Sequence, residues 1–96
     1  MSPQKHKKLL KLRKKLDKLD NSFIKLIKRR SEIVKKVLYL KEYKNQIVDK
    51  KRIKFILNQI KKKSIKNNID PIVTEKIWKN MITAYIDYEK RNFKKK

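Results

Sequence analysis

The 96-residue chain has no glycine and no cysteine, only two prolines and a single histidine. Without cysteine there is neither a disulfide framework nor a thiolate metal site, and His6 alone, near the start, leaves nothing from which to build a zinc site. Without glycine, hairpins and meanders lose their usual turn residue, and prolines at 3 and 71 leave long stretches open to helix. Long apolar runs are missing as well. No stretch approaches the ~18 residues of a membrane span, and the opening MSPQKHKKLLKLRKKL is basic but lacks an uninterrupted apolar segment of the signal type. The expectation is an all-α chain that uses no metal, crosses no membrane and resides in the cytoplasm.

Acidic residues are scarce too, nine against 31 basic ones, for a net charge of +22. Such an excess attracts phosphate through long-range fields and counterion release, so nucleic acid or an anionic membrane surface comes into view. Five of the basic residues are arginine and 26 are lysine, in a chain also rich in Ile and Asn, the pattern that A/T-biased coding produces. Lysine abundance therefore has a source that needs no partner. A small basic nucleic-acid-binding helical dimer is kept as the alternative of another class.

What is present is helical periodicity. Ser2 then Pro3 suits an N-cap followed by the first helical position. From Leu9, positions 9, 12, 16, 19, 23, 26, 30, 33, 37 and 40 alternate steps of three and four, and all but Arg30 are Leu, Phe, Ile or Val. A first helix is expected over about residues 4–43. Lys44, Asn45 and Gln46 read as a break, and Asp49 as the N-cap of a second helix over 50–66, with Ile53, Ile56, Leu57 and Ile60 on one face. Asn67 or Asn68 suits its C-cap. Asp70-Pro71 starts a third helix, with Glu75 favourably placed toward the dipole, over 71–91; a basic tail, 92–96, follows.

The whole of 1–96 reads as a single domain. A helix of about 38 residues spans roughly 57 Å, whereas a compact chain of about this size has a radius of gyration near 13 Å. Two shorter helices cannot cover its apolar stripe, so an intertwined helical homodimer of three helices per chain is expected.

Arg30 on the apolar stripe is the anomaly. Lys41 follows eleven residues later, close to three turns, and so projects from nearly the same face. The plain reading pairs Arg30 with an acid from another helix and lets Lys41 snorkel at the helix end. Arg13 lies 17 residues before Arg30, roughly 25 Å away and about 100° round, too far to share a small site with it in one chain. By itself Arg13 reads as solvated, and Arg52, beside Ile53, as unremarkable. On the third helix Trp78, Ile82, Tyr85 and Glu89 are spaced four, three and four, so Glu89 extends an apolar stripe. Its plain reading is an ion pair with one of the many lysines.

Five segments in order resemble the all-α chorismate mutases: LRKKLDKLD (12–20), KRRSEIVKKVLYLK (28–41), VDKKR (48–52), IDPIVTEKIW (69–78) and MITAYIDYE (81–89). The resemblance implies three helices per chain, two entwined chains and sites shared between them. The implied reaction is the rearrangement of chorismate to prephenate, a dicarboxylate substrate, with no cofactor and no covalent intermediate. Arg30 and Arg13 of the partner chain would hold carboxylates, with Arg52 assisting near the mouth. Asp49, Ile53 and Tyr85 would line the site, and Lys41 and Glu89 would flank the ether oxygen whose bond breaks. Three of only five arginines thus fall at family positions, and their planar fork suits carboxylates.

Two departures stand out. Many members carry glutamine where this chain has Glu89, and a carboxyl group donates to an ether oxygen only while protonated, so activity is expected to decline as rising pH ionises it. Many carry a glutamate where this chain has Ile53. An apolar residue there also occurs in the related isochorismate pyruvate lyases, which makes that activity the nearest alternative; those enzymes typically keep the glutamine, so Glu89 argues for the mutase.

Overall fold

The computed structural model describes residues 1–94; Lys95 and Lys96, the end of the expected basic tail, lie outside them. Helix α1 spans Pro3–Leu40, a short 3-10 turn Lys44–Gln46, helix α2 Lys50–Lys66 and helix α3 Pro71–Asn92, with no strand among the described residues. The all-α expectation is met. The chain divides into two compact units, Met1–Val34 and Lys35–Lys96.

The first unit is helical from Pro3 onward, and before it the Ser2 hydroxyl accepts from the Lys5 amide at 3.2 Å, as an N-cap should. No proline, glycine or run of β-branched residues interrupts α1, and leucines and lysines favour it throughout. Its apolar stripe is uncovered: Leu12, Leu16, Leu19, Phe23, Leu26 and Ile33 each leave more than half their surface exposed.

The second unit holds the buried residues, Leu38 at the end of α1, Ile47 after the break, Ser64 and Thr74 near the α2–α3 connection, and Glu89. Asp49 caps α2 by accepting from the Arg52 amide at 3.0 Å, and Asp70 caps α3 by accepting from the Ile72 amide at 2.9 Å. The expected α2 face is the one that packs, since Ile53, Ile56, Leu57 and Ile60 are half-buried while Phe55 is exposed. On α3 the half-buried residues include Trp78, Ile82, Tyr85 and Tyr88.

The α2–α3 connection is short and fully bonded. Asn67 is the C-cap, and Asn68 takes φ 57°, the left-handed conformation that asparagine tolerates better than most residues. The Ile69 amide then donates to Ser64 O at 2.8 Å and the Asn68 amide to Ile65 O at 3.2 Å, the paired bonds of a Schellman stop. Across this connection the Ser64 and Thr74 hydroxyls meet at 2.6 Å, both buried, and Ser64 Oγ donates to Ile60 O at 2.6 Å. The Thr74 hydroxyl also lies 3.3 Å from Pro71 O, so each of the two hydroxyls has a carbonyl within reach and either can donate within the pair.

One boundary requires correction. Helix α1 ends at Leu40, short of the expected 43. No breaker residue stops it. Instead the Gln46 side-chain oxygen accepts from the amides of both Glu42 and Tyr43 at 2.8 Å, taking donors that a continued helix would have used. Lys41 consequently sits just past the helix, its amide still bonded to Leu38 O at 3.1 Å.

Candidate active site

The structure brings together Lys41 and Glu89. Lys41 Nζ donates to Glu89 Oε1 at 2.9 Å, and the side chains keep only 18% and 7% of their exposure. A carboxylate so far removed from water persists beside a cation that offsets its desolvation, and here the cation is Lys41 itself. This contact is the ion pair with a lysine that the plain reading of Glu89 expects. An ammonium has three N–H donors. One is used here, so Lys41 retains the capacity to donate to a ligand oxygen while Glu89 holds it.

Lys41 also lines an open hollow of about 530 Å³ with Gln46, Val48, Asp49, Lys50 and Lys51 among its walls. That size falls within the ~300–1,000 Å³ of small-molecule sites. Asp49, Arg52 and Ile53 share the first turn of α2, where the Ile53 amide donates to Asp49 O at 3.0 Å. The Arg52 guanidinium lies 5.3 Å from the centre of the Phe55 ring, a cation–π contact on an exposed surface. Tyr85 is half-buried on α3, one turn before Glu89. Arg13 and Arg30 belong to the first unit, and both are exposed.

Sequence reasoning marks Gln46 only as part of a break, yet its side chain organises the segment after Lys41. A signal for this exists: Gln46 is the third residue of the turn that Tyr43 caps, the place from which glutamine reaches back to the cap amide. Among the described residues there is no group of three or more His, Cys, Asp and Glu able to hold a metal, and no helix long and apolar enough to cross a membrane.

Fold and contact together define an all-α protein with a part-buried acid–cation pair between the residue just past its first helix and the last turns of its third. The family model for type II chorismate mutases matches residues 12–90. A curated chorismate mutase from Methanocaldococcus jannaschii is 38% identical over 79 residues, covering 78% of this chain and 77% of that relative. No solved structure matches. The chain belongs to the type II chorismate mutase family. Both matches carry the mutase name, and neither that of the lyase or of a nucleic-acid binder.

Proposed function

We propose that the protein rearranges chorismate to prephenate, as an isomerase of phenylalanine and tyrosine biosynthesis in the cytoplasm. Within one molecule a C–O bond breaks and a C–C bond forms; nothing is transferred to the protein. Catalysis then consists of holding the reactive conformer and meeting the negative charge that gathers on the ether oxygen. The observation that carries this reading is the 2.9 Å contact between Lys41 and Glu89, in a chain of this family.

Lys41 donates to the ether oxygen, held in place by Glu89, and Glu89 when protonated supplies a second donor. Arg30 and Arg13 of a second copy bind the two carboxylates bidentately, Arg52 assists at the mouth, and Ile53 and Tyr85 line the walls. Asp49 keeps the Arg52 turn in shape through its cap. A homodimer with shared sites is supported by the exposed apolar stripe of α1, because contiguous apolar surface of this extent marks an interface. It also suits Arg30, which lies on that stripe and carries the planar fork that a substrate carboxylate fits.

Prephenate formation from chorismate without added metal tests the reading, with isochorismate run in parallel. Turnover of chorismate is expected. Release of pyruvate from isochorismate, with chorismate untouched, would replace the mutase by the lyase. Binding of nucleic acid with a steep salt dependence and no turnover would replace both.

A further inference from the structure

Gln46 stands five residues after Lys41, at the corner of the segment that follows the end of α1. Its side-chain oxygen receives two amide protons, from Glu42 and Tyr43, both at 2.8 Å. Ile47, the next residue, is the most deeply buried apolar side chain among the described residues, with 3% exposure. Its own amide donates to Lys44 O at 3.2 Å, closing the short turn. The segment from Lys41 to Ile47 is therefore fastened at both ends: Lys41 by its amide to Leu38 O, Ile47 by burial, with Gln46 folding the residues between them. Gln46 and Lys41 line the same hollow.

The absence of glycine and proline from residues 41 to 47 makes this fastening necessary. Nothing in the backbone alone stops α1 at Leu40, and a helix continued by one turn would carry the Lys41 stem along its axis direction instead of releasing it. By withdrawing the Glu42 and Tyr43 amides from the α1 ladder, Gln46 keeps Lys41 the first residue outside the helix. Both of these amides belong to exposed residues, so water replaces the bonds at little cost in stability. What is lost without Gln46 is a single geometry for Lys41, and catalysis is sensitive to misplacement on the order of 1 Å.

We propose that Gln46 is a positioning residue for Lys41: its side-chain oxygen ends helix α1 and so sets where the Lys41 ammonium stands. This role rests on Lys41 acting on substrate as described above. It assigns Gln46 no contact with substrate.

The test compares Gln46→Leu, which removes the acceptor, with Gln46→Glu, which keeps an oxygen able to receive both amide protons. Expected for Q46L is a fall in kcat of about tenfold with KM within about twofold, because the defect lies in the transition state more than in binding. Q46E restores most of the loss. Two measurements need no substrate. Hydrogen exchange at the Glu42 and Tyr43 amides speeds up in Q46L and not in Q46E, and the coupling between Lys41 and Glu89, read from urea unfolding of K41A, E89A and the double variant, shrinks in the Q46L background. A Q46L chain with fast exchange at both amides but parental kcat and parental coupling overturns the proposal, as does a Q46E chain no better than Q46L. Failure of the activity reading looks different: the parent chain converts no chorismate, or K41A is as active as the parent. Exchange and coupling still decide the placement of Lys41 in that case.

Discussion

The first 34 residues and the rest of the chain handle the same kind of sequence in opposite ways. In Met1–Val34 one helix carries an apolar stripe that stays open, with Leu16, Phe23 and Ile33 all at 58% exposure or more. From Lys35 onward, some groups find partners within the unit, since Ile47 is buried, Ser64 meets Thr74 and Lys41 meets Glu89, while Leu40 and Ile72 stay at 66% exposure or more. The residues proposed for the site therefore stand in different surroundings. The acid–cation pair forms by contacts inside the second unit, whereas Arg13 and Arg30 are exposed on a helix whose apolar stripe is uncovered.

Arginine and lysine substitutions break this comparison most severely. Arg30→Ala and Lys41→Ala are each expected to lower kcat/KM by at least about 100-fold, the range found when a preorganised donor is removed from a reacting centre. Arg30→Lys should recover little, because an ammonium cannot reproduce a bidentate grip on a carboxylate. Steady-state kinetics on chorismate decides both, and a parental rate in either alanine variant contradicts the assigned roles.

Glu89→Gln separates holding Lys41 from donating a proton. If Glu89 donates to the ether oxygen, parental kcat falls as pH rises, and the glutamine variant, which always carries donors, shows a flat profile over the same range. Matching declines in the two proteins remove that role and leave Glu89 as the holder of Lys41.

Smaller effects fall on stability within the second unit. Thr74→Val leaves the buried Ser64 hydroxyl without its Thr74 partner and is expected to cost about 1–2 kcal/mol in urea unfolding. At the surface of α3, Lys79 beside Glu75 holds that carboxyl below its ordinary value of 4.5, first through a hydrogen bond and then through charge. A depressed value means that the contribution is present above about pH 4.5 and disappears as pH falls through the lowered one. Both side chains of the pair are more than half exposed, so Glu75→Gln should change the melting temperature by an amount near the limit of detection at neutral pH and by nothing in acid.

Local chemistry is the most legible part of the fold. Ser2, Asp49 and Asp70-Pro71 start helices because their side chains satisfy the first free amides, and Asn68 follows the α2 C-cap because asparagine tolerates positive φ. These devices act over two to four residues and can be read in place. The end of α1 is not legible by the same means: the apolar period continues to Leu40 and no breaker follows, so a side chain five residues beyond Lys41 decides it. Of the candidate site, Glu89 on an apolar stripe is visible from spacing, but its partner is not. Any of 26 lysines satisfies the charge requirement, and the choice of Lys41, 48 residues away, comes from tertiary packing; the family resemblance sets both residues beside one ether oxygen but not in contact with each other. The Ser64–Thr74 contact is invisible in the sequence because two small hydroxyls leave no periodic trace.

Mixing two inactive variants tests the central claim, that a working site draws on both regions and on two chains. Arg13→Ala and Arg30→Ala subunits, unfolded together and refolded at equal amounts, form mixed dimers in which one site keeps both arginines and the other lacks both. Chorismate turnover should return to roughly a quarter of the parental rate, since half the dimers are mixed and each has one intact site of two. A mixture no more active than the separate variants would contradict the account.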